Sequence, residues 1–109
     1  MAEGTIQVTV PASGVVNAAS GLPSYISGNI FLQNLQIQNN AANPIRYGRD
    51  NSVSVTTPAA VNGGTAGKGI LLTPSGAGGV AAFITYTSFL SDWWIAGTPG
   101  DVIDILFVQ

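Results

Sequence analysis

The chain has 109 residues and a net charge of −2, with eight charged side chains (Glu3, Arg46, Arg49, Asp50, Lys68, Asp92, Asp101 and Asp104) and neither His nor Cys. Those absences exclude a disulfide scaffold and thiolate metal sites, and they strip out most of the residues on which hydrolytic, redox and transition-metal chemistry draw. No basic run offers an electrostatic footprint for nucleic acid, and no apolar run approaches the ~20 residues that span a bilayer.

The elements read as β throughout. Thr5 to Val10 alternates, with Ile6, Val8 and Val10 on one face and Thr5, Gln7 and Thr9 on the other; Pro11 ends it. Residues 11–29 are rich in Ala, Ser, Gly and Asn and show no period. They read as a long connection or an arm that crosses to a neighbour, anchored by Leu22, Tyr25 and Ile26 or folded into one short helical turn. A second strand covers Ile30 to Gln38, with Phe31 on the Leu35/Ile37 face. The turn Asn39–Pro44 leads into Ile45-Arg46-Tyr47, expected to pair back as a hairpin.

Val53 to Thr57 predicts a fourth strand, stopped by Pro58, and the glycine-rich stretch Ala59–Gly69 an exposed loop. Ile70-Leu71-Leu72 is a short fifth strand. Val80 to Thr87 is a sixth, with Phe83 and Tyr86 directed at the core. Asp92 to Ala96 is a seventh, and the Gly97–Gly100 turn returns it into Asp101–Val108. That last strand is apolar on both faces except at Asp104, as a central strand or a subunit contact requires. About eight short strands in one domain over residues 1–109 predict an all-β, antiparallel two-sheet sandwich of jelly-roll type, with a seven-stranded immunoglobulin-like sandwich as the rival.

Sites for chemistry are sparse. Asp101 and Asp104, three apart in a strand, point to opposite faces and do not form a carboxylate pair; Asp101 instead closes the Gly97–Gly100 turn. Asp50 and Asp92 have no calcium-loop spacing. Lys68 follows Gly67, but Gly69 stands where a phosphate loop needs Ser or Thr. No catalytic residue, cofactor or metal is expected. Of Trp93 and Trp94, one ring faces inward as core and the other outward, as an interface anchor or a platform for a sugar. Arg46 and Arg49 flank Tyr47-Gly48 and suit a partner's carboxylates or open solvent equally. Charged residues are 7% of the chain, against about 25% in ordinary domains. A surface so poor in charge suits a protein covered by its own copies or by a partner.

Three segments carry a family likeness: Asn43-Pro44-Ile45-Arg46-Tyr47-Gly48, then Gly69-Ile70-Leu71-Leu72-Thr73-Pro74-Ser75-Gly76, then Asp92 to Leu106 with its Ile95-Ala96-Gly97-Thr98-Pro99-Gly100-Asp101 hairpin. Together, over roughly residues 30–109, they resemble small β-modules of tailed-bacteriophage virions. The resemblance implies a virion structural protein, made in the host cytoplasm. Its implied role is capsid decoration or cement on the outer surface of the capsid, as a homotrimer bound to the major capsid protein. The alternative it implies is a tail, baseplate or fibre module that contacts tail proteins or a host glycan. It brings no catalytic residues. Leu22, Tyr25, Arg46, Arg49, Trp93 and Trp94 are the interface candidates.

Overall fold

The computed structural model describes residues 3–22, 31–55, 67–77, 79–85 and 88–108. Alternation sets the first strand, β1 (Glu3–Thr9): Ile6, Val8 and the following Val10 are buried, while Thr5, Gln7 and Thr9 face solvent. The strands that follow are β2 (Val15–Asn17), β3 (Phe31–Leu32), β4 (Asn34–Asn39), β5 (Ile45–Gly48) and β6 (Ile70–Leu72). They continue with β7 (Ala82–Ile84), β8 (Ser88–Phe89), β9 (Trp94–Ala96) and β10 (Val102–Val108). The fold is all-β and antiparallel. One four-stranded sheet has the order β1-β10-β4-β7, a second the order β2-β9-β5-β6, and β3 and β8 form a two-stranded ladder.

Both sheets contribute to one core. From the first sheet come Ile6, Ile105 and Ile37, which lie in register across β1, β10 and β4, and from the second Ile45, Leu72 and Ile95. Burying each such side chain is worth about 1.5–3 kcal/mol. The closing strand β10 sits centrally, between β1 and β4, as its two-sided apolar sequence predicts. Asp101 closes its turn as expected, its Oδ2 accepting the Thr98 N–H at 2.9 Å.

Several expectations are corrected. Residues 34–48 make no hairpin, because β4 belongs to the first sheet and β5 to the second. Asn39 explains the crossing. It is buried; its Oδ1 accepts the Ala41 N–H (2.9 Å), and its Nδ2 donates to the carbonyls of Asn43 (2.8 Å) and Leu72 (3.0 Å). The turn is thereby pinned to β6 of the opposite sheet.

The stretch 11–29 is not a plain connection. It holds β2, paired with β9, and then a 3-10 turn, Ala18–Gly21, whose Ala19 N–H is capped by Asn17 Oδ1. Three residues are too few for a period, and the partner of β2 is far along the chain. Tyr25 and Ile26 lie outside the described residues.

The second predicted strand breaks at Gln33, which reverses its inside and outside. Leu32 is buried and Phe31 is exposed, off the Leu35/Ile37 face, packing edge-on against Phe89 with ring centroids 4.9 Å apart. The predicted Val53–Thr57 strand is a single antiparallel bridge between Ser54 and Lys68, residues 56 and 57 being outside the described ones. Val53 is held by packing over Gly48, where a Cβ would come within 2.7 Å of Val53 Cγ1.

Phe83 does not meet the core either. In β7 it is Ile84 that points inward, and Phe83 is 70% exposed. Tyr86 lies outside the described residues. The predicted Asp92–Ala96 strand begins later, since Leu90–Asp92 is a 3-10 turn and Trp93 follows it before β9 starts. Most of the predicted Ala59–Gly69 loop lies outside the described residues. At its end Gly69 has φ +114°, and a Cβ there would meet the Tyr47 carbonyl at 2.9 Å, so the position favours glycine twice over.

Candidate interaction surfaces

The outward face of the β2-β9-β5-β6 sheet gathers two of the sequence candidates. Arg46 lies between Ala96 of β9 and Leu71 of β6, and Trp94 lies between Asn17 of β2 and Gly48 of β5. Arg46 and Trp94 are therefore diagonal neighbours on one face, a separation of roughly 7–8 Å. Both are half-buried. Arg46 Nη1 donates to the Gly69 carbonyl at 2.9 Å, which ties β5 to the segment leading into β6. Its Nε is buried and, among the described residues, has no hydrogen-bond partner, a costly state for a charged group. Along the β6 edge of this sheet Ile70 is 60% and Leu71 49% exposed.

Arg49 and Trp93 belong to another cluster. Trp93 is the inward ring of the pair, buried in the core, with its Nε1 donating to Ser88 Oγ at 3.0 Å and Tyr47 tilted against it. Arg49 covers this ring at 5.5 Å and pairs with Asp92 at 3.1 Å. Asp92 Oδ2 also accepts the Phe89 N–H (2.9 Å), so one carboxylate serves both the 3-10 turn and the arginine. Leu22, half-buried, packs on the core after the Ala18–Gly21 turn. Tyr25 is outside the described residues.

Asp50 and Asp92, weighed as calcium ligands, are engaged separately. Asp50 accepts from the Ser52 hydroxyl and backbone N–H, with Lys68 Nζ 4.0 Å away. These bonds to Ser52, and then the nearby ammonium, hold its carboxyl below the usual aspartate value. Among the described residues no three His, Cys, Asp or Glu side chains gather.

The outward face of the β1-β10-β4-β7 sheet carries two rows of side chains that no local motif marks. One row runs Thr5, Leu106, Gln36, Phe83 across the four strands, and a second runs Gln7, Asp104, Gln38. Asp104 is held from both sides, Oδ1 by Gln7 Nε2 (2.9 Å) and Oδ2 by Asn40 Nδ2 (2.7 Å). Two shallow depressions lie here. One of about 310 Å³ is bordered by Thr5, Gln38 and Asp104, one of about 150 Å³ by Phe83 and Val108, and Gln36 and Leu106 border both. The alternation Leu35-Gln36-Ile37-Gln38 was the available signal for the polar half. Phe83 was missed because an aromatic in a short strand reads as core.

Comparison of the chain with protein-family models, with curated proteins and with solved structures finds no match.

Proposed function

We propose that this chain is a structural protein of a tailed-bacteriophage virion, a capsid decoration or cement subunit, homotrimeric, bound across contacts of the major capsid protein on the outer surface. Its action is mechanical. A subunit that binds the closed shell in preference to free coat protein stabilises the shell by mass action. The observation that carries the reading is the apolar β6 edge, with Ile70 and Leu71 exposed on a chain that has only eight charges. An exposed apolar sheet edge invites association and calls for cover by another chain.

Two further features support it. The strand orders β1-β10-β4-β7 and β2-β9-β5-β6, with a chain that keeps crossing between the two sheets, support reading the fold as a jelly roll. The segments that resemble virion modules also fall at junctions of this framework: Asn43-Pro44 opens β5, and Gly97–Asp101 joins β9 to β10.

The test is the copy number per purified particle, measured by quantitative mass spectrometry against the coat protein. A number comparable to the coat protein supports decoration. A few to a few dozen copies would move the chain to tail, baseplate or fibre, and absence from particles would overturn the virion reading.

A further inference from the structure

We infer that the outward face of the β1-β10-β4-β7 sheet is a binding site for a neutral oligosaccharide. This goes beyond the capsid reading and does not depend on it.

The face offers, side by side, the two kinds of group that a sugar ring needs. Its apolar half is Phe83, 70% exposed, with Leu106, 41% exposed, two strands away in the same row. An exposed aromatic ring is a flat apolar surface on which the C–H face of a pyranose can lie. Its polar half is Asp104 with Gln36 and Gln38. The two amide bonds from Gln7 and Asn40 fix the Asp104 carboxylate in one orientation, and each oxygen keeps a further lone pair for a hydroxyl donor. The side chains of Gln36 and Gln38 stand two residues apart on the same face of β4. Among the described residues neither amide has a hydrogen-bond partner, so each presents both a donor and an acceptor to an incoming hydroxyl.

The dimensions suit an extended chain of sugars rather than a single small molecule. Four strands at about 4.8 Å spacing make the Thr5–Phe83 row about 14 Å long, and the polar row runs parallel to it about 7 Å away. The two depressions share Gln36 and Leu106 and so lie side by side on this face. Charge sets the selectivity. Asp104 is the one acidic side chain in the two rows, which hold no Lys or Arg, so sialylated, uronate-bearing and phosphorylated sugars are disfavoured while uncharged ones are not.

The experiment uses the full chain on an array of neutral hexose and hexosamine oligosaccharides printed beside sialylated and uronate-containing ones. The strongest neutral binder is then titrated by calorimetry into the wild type, Phe83→Ala, the Gln36→Ala/Gln38→Ala pair and Asn51→Ala. All four substituted positions are at the surface or half-buried, and matching thermal unfolding certifies each variant. The expected result is neutral-glycan binding weakened at least tenfold by Phe83→Ala and by the glutamine pair, and unchanged by Asn51→Ala in the exposed turn after β5. Failure to bind any neutral oligosaccharide overturns the inference, as does a preference for acidic ones or an affinity indifferent to both face variants. So does a wild-type oligomer that Phe83→Ala turns into monomer without any glycan binding, which would make the face a contact between copies. None of these readouts involves capsids, so they stand or fall apart from the copy-number test.

Discussion

The Arg49 guanidinium lies over the indole of Trp93, 5.5 Å from the ring centroid, and closes the end of the core from outside. It also pairs with Asp92 at 3.1 Å, half-exposed on the arginine side. The sequence offers Arg49 equally to a partner's carboxylate and to open solvent; in the fold it pairs with a carboxylate of its own chain. Replacing it by Ala removes one cation–π contact and one surface ion pair, together about 1 kcal/mol. Urea unfolding should show that loss, with a red shift of tryptophan emission as water reaches the Trp93 face. An unchanged spectrum would mean that Arg49 does not cover the ring in solution.

Asn39 should prove far more sensitive than an ordinary turn asparagine. Asn39→Ala leaves the carbonyls of Asn43 and Leu72 and the Ala41 N–H without their side-chain partner. Buried unsatisfied groups cost about 1–3 kcal/mol. The expected destabilisation is about 2–3 kcal/mol by chemical denaturation, with Asn39→Asp worse because a carboxylate would face two carbonyl oxygens. A loss below about 0.5 kcal/mol would show that the crossing between sheets does not rest on this amide.

Acid should weaken the fold in part through Asp50. Its folded-state pKa is depressed by the Ser52 bonds and by Lys68. A depressed carboxylate contributes stability that is present above its unfolded value and lost as pH falls through the folded one. The wild type should therefore lose Tm relative to Asp50→Asn as pH drops below 3.8, and the two should differ by a constant offset above about pH 5. Parallel Tm curves from pH 2 to 6 would remove Asp50 from the acid response.

The β6 edge should govern self-association. Ile70→Ser together with Leu71→Ser changes side chains that are about half or more exposed, so the fold should survive with its thermal unfolding little altered. Light scattering should show the oligomer shifted towards monomer, and particles exposed to the variant should retain less of it. The pair Arg46→Ala and Arg49→Ala, on and beside the same sheet, should also lower occupancy on particles while the subunit stays folded. Unchanged occupancy would remove both arginines from the contact.

Much of the fold was legible wherever one strand carried its own period. Ile6, Val8 and Val10 announced β1, and the apolar run from Val102 announced a central strand. What could not be read was which sheet a strand joins. The β4–β5 junction looks like a hairpin because a turn of Asn and Pro is the same locally whether the chain returns or crosses, and only the contact of Asn39 with Leu72, thirty-three residues on, decides it. Strands of two or three residues, β2, β3 and β7, are too short for alternation to fix inside from outside, which is why Phe31 and Phe83 were placed on the wrong side. The tryptophan pair was resolved correctly as one buried and one outward ring. The mixed face around Gln36 and Asp104 went unnoticed because its members come from four strands and share no local motif.

The pairing of β1 with β10 joins residues about a hundred positions apart, Glu3 meeting Val108. β1 is therefore made early and has no strand partner in its sheet until β10 has been synthesised. β4 pairs with the same strand on one side and with β7 on the other. Folding is consequently late and slow, dominated by long loop closures, and the nascent chain carries unpaired apolar strands through most of its synthesis. Removal of β10 would leave β1 without its strand partner and β4 paired with β7 alone, and so would split the sheet rather than trim one edge.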